Sequence, residues 1–174
     1  MGSMPWSSAT LLDTVRLILE PLEFRHATEM VAALAAPELY GFTGGEPPTE
    51  DILGSRYRRQ AVGHSPGDDA GWLNWIIRVK ATRTAGGYVQ ATLTVEDDAL
   101  VADVAWLVTP SVQHGGIATE AAEAMLAWLR DQQVAGVRAW IHPDHHASVR
   151  VAQRLGFVST PVMVDGESLW ELPG

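Results

Sequence analysis

The residues with the clearest chemical potential form a glycine turn that leads into a helix, Gln113-His114-Gly115-Gly116-Ile117-Ala118-Thr119. Backbone N–H groups at a helix start lack partners within the helix, the helix dipole adds positive potential there, and glycine lets an anion approach closely. We therefore expect the turn to bind an anion, and a pyrophosphate would fit; a tight connection that binds nothing is the alternative. The glycine spacing differs from the dinucleotide fingerprint, and no Lys-Ser/Thr pair follows as in a P-loop.

Asp103 is an acidic residue within an otherwise apolar stretch that precedes the turn. A carboxylate among apolar neighbours costs free energy unless it is paired or solvated, and desolvation makes it a better proton acceptor. Strand alternation places Asp103 with Ala105 and Leu107 on one face, where the carboxylate could also simply meet solvent. Asp103 is thus a candidate general base.

Histidines cluster at His142, His145 and His146. Pro143 interrupts their spacing, and neither a cysteine nor a suitably placed carboxylate joins them, so we predict no metal site. The chain contains no cysteine at all, which excludes disulfides, cysteine nucleophiles and thiolate metal ligands. His114, in the glycine turn, could contact a phosphate or remain solvated.

The elements that must position these residues are expected to form one α/β (α+β) domain. Apolar patterns predict a strand over 15–21, helices over 24–36 and about 49–62, and an antiparallel meander of strands over 72–80, 87–95 and 100–108. Turns are expected at 84–86 and 96–98. The glycine turn opens a helix over 117–132, followed by a strand over 137–141, a helix over 145–155 and terminal strands around 165–166. This order implies a mixed sheet with helices on both faces.

The glycine turn resembles the acyl-CoA-binding motif of the GCN5-related N-acetyltransferase (GNAT) superfamily, Gln/Arg-x-x-Gly-x-Gly/Ala, which is met by Gln113, Gly116 and Ala118. The stretches 16–22, 101–110 and 145–157, the last ending in Leu-Gly-Phe, are similar to further motifs of the family. The similarity spans nearly the whole chain and is greatest to the ribosomal-protein N-terminal acetyltransferase branch. It implies a GNAT-like, mostly antiparallel central sheet.

The resemblance also implies direct transfer of an acetyl group from acetyl-CoA to a primary amine, without a metal. Ser148 matches a family serine near the coenzyme sulfur and is the candidate acid for the leaving thiolate, with a local bond to the helix backbone as the alternative. Many relatives have a tyrosine acid where this chain has Ala152. Asp103 occupies the position of a carboxylate often used as base, but it is shorter than the usual glutamate and would need a bridging water. The predicted coenzyme-binding residues are Leu107, Val108, Gln113, His114, Gly115, Gly116, Ile117, Ala118, Thr119, His145 and Ser148, where His145 replaces an asparagine.

We expect an acceptor pocket between the early helices and the central strands. Its aromatic wall is predicted from Tyr40, Trp72, Trp75 and Trp106, with Glu46 or Asp103 attracting an ammonium; packing of the tryptophans in the core is the alternative. The expected acceptor is a small molecule, such as an aminoglycoside-like antibiotic, an amino acid or an aminoacyl conjugate. A protein α-amine is the second hypothesis, and a non-catalytic acyl-CoA-binding module is the third, motivated by the missing tyrosine and the aspartate at 103.

Composition limits the partners. Apolar residues make up 47% of the 174 residues, and the formal net charge of −9 disfavours nucleic acid and anionic membranes. Neither a membrane span nor a secretion signal is apparent, so we expect a cytoplasmic protein. We predict an N-terminal tail over 1–14, in which Gly2-Ser3 resembles a cloning remnant, and a single domain over 15–174. The family resemblance is compatible with a homodimer.

Overall fold

The computed structural model describes residues 6–174. Its strands are β1 (Leu12–Asp13), β2 (Leu17–Pro21), β3 (Gly71–Val79), β4 (Thr84–Glu96), β5 (Ala99–Val108), β6 (Gly136–Ile141), β7 (Val158–Val164) and β8 (Glu167–Leu172). Its α-helices are α1 (Ala27–Ala33), α2 (Glu50–Gln60), α3 (Ile117–Asp131) and α4 (His146–Leu155). Short 3-10 helices cover Phe24–His26, Pro37–Tyr40 and Pro110–Val112. No helix in this part of the chain is long and apolar enough to cross a membrane.

The strands form one sheet of eight strands in the order β1-β2-β3-β4-β5-β6-β8-β7. β5 and β6 run parallel, whereas the other neighbouring pairs are antiparallel. Helices α1 and α2 pack around Ile76 on one face, and α3 and α4 pack with Trp75 in the larger core on the other face. The predicted mixed, mostly antiparallel sheet with helices on both faces is confirmed.

Local signals explain where the two helices nearest the candidate site begin. The Thr49 hydroxyl caps α2 by accepting a hydrogen bond from the Ile52 N–H at 3.3 Å, as expected for a helix-capping threonine. Helix α3 begins after Gly116, whose left-handed backbone (φ 76°) a side chain would strain. Met125 and Leu129 continue the buried stripe of α3 at helical spacing. The stripe fixes the helix on the sheet and thereby holds the glycine turn at its start.

The start of β4 differs from the prediction. Residues 84–86, expected to form a turn, belong to β4, because the β3–β4 pairing contains a bulge between Ile77 and Arg78 that moves the connection to residues 80–83. Gly87 lies beyond the bulge at φ 143°, and a Cβ there would collide with the carbonyl group of Leu107. Glycine thus allows β4 to approach β5 closely, next to the predicted coenzyme-binding strand end.

The segment predicted as an N-terminal tail is packed on the domain from Trp6 onward. The Thr10 carbonyl accepts a hydrogen bond from Trp75 Nε1 at 2.7 Å, and the Thr10 hydroxyl accepts one from Trp128 Nε1 at 2.9 Å. β1 pairs with β2 and extends the sheet edge. The proposed cloning remnant lies outside the described residues.

A partly buried polar network connects α1 to β2 and β3. Glu20 accepts hydrogen bonds from Arg78 (3.0 Å to Nη2) and from His26 Nε2 (2.9 Å). His26 Nδ1 accepts the Glu23 N–H at 2.9 Å, so Nε2 carries the ring proton. Arg78 also binds Glu29 at 2.7 Å. The hydrogen bond from Arg78 lowers the pKa of Glu20 from 4.5 to about 2.

This network predicts acid sensitivity. A carboxylate with a lowered pKa stabilises the fold fully above its unfolded pKa of 4.5, and that stabilisation is lost as the pH falls towards about 2. The Glu20→Gln variant should therefore unfold at a lower temperature at pH 7, with a loss of about 1–2 kcal/mol after solvent screening is allowed for. Thermal unfolding between pH 7 and pH 2 should show the difference from the parent protein shrinking below about pH 4.5. The matched control is Glu38→Gln, because Glu38 is exposed and forms no ion pair among residues 6–174. An equal loss of folding stability in both variants would contradict this role of Glu20.

Candidate functional site

A cleft opens between the two parallel strands β5 and β6. They pair at Val101↔Gly136, Ala102↔Val137 and Asp103↔Arg138, and no pairing follows although β5 continues to Val108 and β6 to Ile141. Beyond Asp103, the main-chain groups of β5 that point towards β6 therefore have no strand partner. Unpaired strand edges bind extended ligands through main-chain hydrogen bonds. The predicted coenzyme-binding residues Leu107 and Val108 lie on this free edge.

The glycine turn lies beyond the end of β5. His114 (φ 68°) and Gly116 (φ 76°) both adopt left-handed backbone, which turns the chain into α3. Within residues 6–174, the backbone N–H groups of residues 114–119 donate to no carbonyl. The Thr119 hydroxyl in the first turn of α3 is also buried, and it has no hydrogen-bond partner in the described part of the chain. Such a row of free donors at a helix start can hold a pyrophosphate.

Side chains brace the turn from both sides. Gln113 Nε2 donates to the Val108 carbonyl at 3.0 Å, so the side chain of Gln113 holds the turn on β5. Arg16 donates to the Gly115 carbonyl at 2.6 Å and pairs with Glu120 at 2.6 Å. No local sequence pattern predicts these contacts of Arg16, because Gly115 and Glu120 lie about a hundred positions away along the chain. Both contacts order the backbone donors before any ligand binds.

Ser148 lies in the first turn of α4, the helix that follows β6 of the cleft along the chain. Its side chain is buried, yet its hydroxyl forms no hydrogen bond with any residue in the described range 6–174. The expected alternative, a local bond to the helix backbone, is therefore absent from that range. The nearby position Ala152 is fully buried. The free Ser148 hydroxyl can donate a proton to a group bound in the cleft.

His145 is the N-cap residue of α4 and packs against the loop between α1 and α2. Its ring lies 4.8 Å from the ring of Phe42, which also contacts His142 at 5.2 Å. Burial lowers the pKa of His145, with the neighbouring His142 acting in the same direction, which favours the neutral ring near pH 7. Among residues 6–174, no group of His, Cys, Asp or Glu is arranged to hold a metal ion. Phe42 lacked any sequence signal because its partners come from a distant part of the chain.

Asp103 is engaged in an ion pair. Arg138 of β6 contacts its carboxylate through Nε at 2.8 Å and through Nη2 at 3.2 Å. The same guanidinium binds Glu96 at 2.6 Å. The predicted free base is therefore an ion-paired carboxylate that stays 30% exposed, because the parallel pairing of β5 and β6 places Arg138 beside Asp103. The carboxylate joins the two strands at the point where the cleft begins.

A cavity of about 240 Å³ lies between α1, α2 and the face of the sheet that these two helices cover. Its polar lining consists of Arg56, Tyr57, Gln60, Asn74, Tyr88 and Gln90. Tyr88 lies directly opposite Leu107 in the β4–β5 register, so the cavity adjoins the strand that borders the cleft. Burial raises the pKa of Tyr57 and of Tyr88, which keeps both phenols protonated as hydrogen-bond donors.

Of the four aromatic residues predicted to line the acceptor pocket, only Trp75 borders the cavity. The ring of Trp75 lies in the core on the α3 side, 5.4 Å from Trp128, because alternation along β3 turns it away from Asn74 and Ile76. Trp106 packs 6.2 Å from Phe157 on that same side.

Tyr40 and Trp72 lie outside the lining of the cavity. Tyr40 donates to the Leu34 carbonyl at 2.8 Å beside the cavity, and Trp72 lies at the far end of β3. Glu46 is exposed in the loop before α2. The aromatic residues that line the cavity are Tyr57, Trp75 and Tyr88.

Comparison with known proteins places these features in context. A family model described as an acetyltransferase (GNAT) domain matches residues 16–158. A putative GnaT-family acetyltransferase from Bordetella pertussis is 25% identical, with a TM-score of 0.70 over 95% of this chain and 100% of that one. No curated protein sequence matches the chain.

Two further solved structures share the fold. One is the ribosomal L7/L12 α-N-protein acetyltransferase RimL in complex with coenzyme A, 13% identical, with a TM-score of 0.74 over 93% of this chain and 97% of that one. The other is the microcin C7 self-immunity acetyltransferase MccE in complex with acetyl-CoA and AMP, 14% identical, with a TM-score of 0.72 over 91% and 92%.

Proposed function

The chain belongs to the GNAT acetyltransferase family, and from this premise we propose that it transfers the acetyl group of acetyl-CoA to a primary amine of a small molecule. One observation carries the choice of acceptor: the cavity on the α1–α2 face is lined by Tyr88, which pairs with Leu107 of β5, the strand that borders the cleft. Its volume of about 240 Å³ is smaller than the roughly 300–1,000 Å³ of pockets for drug-sized ligands. Such a cavity suits a small amine better than an extended chain.

The chain's own residues fit the coenzyme. The free N–H groups of residues 114–119 would hold the pyrophosphate, and the unpaired edge of β5 would bind the amides of the pantetheine arm. The buried, unpartnered Thr119 hydroxyl would gain a hydrogen-bond partner in the same place. Acetyl-CoA supplies the activated acyl group, and the solved complexes of RimL and MccE support this assignment by their fold.

Protein groups then assist the transfer. The Ser148 hydroxyl donates its hydrogen bond to the departing thiolate, because it has no other partner in the described part of the chain. No carboxylate lines the acceptor cavity within that part, and Asp103 is held by Arg138. We therefore assign removal of the amine proton to water in the cleft rather than to a side chain.

A protein α-amine is the second candidate acceptor. Its support is the structural likeness to RimL, whose printed name describes an α-N-protein acetyltransferase. That likeness at 13% identity concerns the fold, whereas the cavity size concerns this chain directly. The two candidates differ in the acceptor that accelerates release of coenzyme A.

We expect small primary amines, and not peptides with a free N-terminus, to release coenzyme A from acetyl-CoA in the presence of the protein. A thiol reagent reports this release directly, because the chain has no cysteine to react with it. The same amines already carrying an N-acetyl group are the controls and should release nothing. Release with peptides alone would establish the second candidate. No release with any amine, in protein that binds acetyl-CoA by calorimetry, would contradict the proposal and indicate a binding module.

A further inference from the structure

We infer that the acceptor carries an anionic oxygen group, a carboxylate or phosphate, which Arg56 binds at the mouth of the cavity on the α1–α2 face. This inference rests on the proposed function, because it concerns the acceptor of the same site. It goes further by naming the chemical feature that the cavity selects.

The position of Arg56 is the first observation. Leu53, Arg56, Tyr57 and Gln60 follow one another at i, i+3, i+4 and i+7, which places them on one face of α2, and all of them line the cavity. Arg56 is the one charged side chain among the described residues that line it. The chain as a whole has a net charge of −9, so the positive charge of this cavity is opposite in sign to the net charge of the protein.

The guanidinium has no competing partner in the described part of the chain. Arg78 and Arg138 are each held by carboxylates, but Arg56 forms no ion pair or side-chain hydrogen bond within residues 6–174. An arginine fork presents parallel N–H donors that match the oxygens of a carboxylate or phosphate. Arg56 can therefore make this contact without breaking an existing one.

The charge of Arg56 reaches into the cavity. Burial raises the pKa of Tyr40, Tyr57 and Tyr88, and the positive charge of Arg56 acts in the opposite direction on all three. The guanidinium thus lies within electrostatic range of phenols on α2, on β4 and beside the cavity. Its field covers the volume in which an acceptor would lie.

The rest of the polar lining is neutral, and its side chains have no partners among residues 6–174. The side chains of Gln60, Asn74 and Gln90 form no hydrogen bonds within residues 6–174, so their amides can bind further polar groups of the acceptor. A cavity that contains a cation and no carboxylate also disfavours the protonated amine. A bound acceptor would consequently hold its amine in the neutral, nucleophilic form while its anionic end contacts Arg56.

The test compares three matched acceptors: an aminoalkyl carboxylate, its carboxamide and its phosphonate analogue. For the parent protein we expect kcat/KM to be at least about tenfold higher for an anionic acceptor than for the carboxamide, in line with a charge-assisted hydrogen bond. In Arg56→Gln this preference should disappear through a higher KM, and Arg56→Lys should restore part of it. The comparison of carboxylate with phosphonate identifies which anion the cavity prefers.

Arg59→Gln is the matched control, because Arg59 lies on the same helix, is exposed and does not line the cavity. It removes the same charge and should leave the preference intact. Equal kcat/KM for carboxylate, phosphonate and carboxamide in the parent protein, or an equal loss for all three in Arg56→Gln, would overturn the inference while leaving acetyl transfer established. If no amine were acetylated, the proposed function would fail. In that case, stabilisation of the parent protein but not of Arg56→Gln by the anionic amines in thermal unfolding would still support the anion site, and its absence would refute it.

Discussion

Replacement of Ser148 by alanine should lower kcat for acetyl transfer by about 10²-fold, the low end of the usual range for a general acid. The low end applies because a thiol has a pKa near about 8.5, so its anion is a fairly good leaving group even without a proton donor. The affinity for acetyl-CoA should change by less than about twofold, since a serine hydroxyl contributes little to binding a large ligand made mainly of other contacts. Steady-state kinetics together with calorimetric titration of acetyl-CoA separate these two quantities.

Two variants make the Ser148 result interpretable. Ser148→Thr keeps a hydroxyl at the same place and should retain most of the activity if the proton donor is what matters. Ser55→Ala, at an exposed serine on α2, makes the same change within a helix and should leave kcat unaltered. An unchanged kcat in Ser148→Ala would remove Ser148 from the mechanism. A parallel loss of acetyl-CoA affinity would instead assign it to binding.

Replacement of Gly115 by aspartate should weaken acetyl-CoA binding by at least about tenfold, because the new carboxylate would lie beside the donors of residues 114–119 and repel the pyrophosphate. The position tolerates a side chain: a Cβ on Gly115 would have only ordinary contacts, the nearest at 3.9 Å, and its backbone is not left-handed. An acidic residue near a helix start is favourable for the helix itself. Folding stability should therefore be maintained or slightly increased while coenzyme affinity falls.

The matched control is Gly115→Asn, which has nearly the same size and shape without the charge. It should keep most of the affinity, and the penalty of the aspartate should shrink as salt is added, because screening weakens charge repulsion. Calorimetric titration at low and high salt measures both effects. Equal affinities of the aspartate and asparagine variants would show that the turn does not bind the pyrophosphate.

Part of the lining of the cavity on the α1–α2 face follows a helical pattern that is visible in the sequence. The helix over 49–62 was predicted, and the spacing of Leu53, Arg56, Tyr57 and Gln60 already placed an arginine beside a tyrosine on one helical face. Of the strand tryptophans predicted as an aromatic wall, Trp75 borders the cavity and Trp106 does not. Both rings lie on the α3 side of the sheet, because alternation along a strand decides the face. Only the position of α1 and α2 decides which face carries the cavity.

The sequence by itself determined the features that depend on neighbours along the chain. These are the Thr49 cap, the glycine turn before α3, the buried stripe of that helix and the order of strands and helices, since capping, periodicity and glycine's backbone freedom act within a few residues.

Only the tertiary structure decided the contacts between distant residues. Arg16 meets Glu120, Arg138 holds Asp103, and Phe42 reaches His145. Each of these contacts follows from the strand order and the pairing register, and the bulge between Ile77 and Arg78 changes that register in a way that no local pattern reveals. A one-residue shift exchanges the two faces of a strand, so the side chains that meet across the sheet are known only once the whole sheet is assembled.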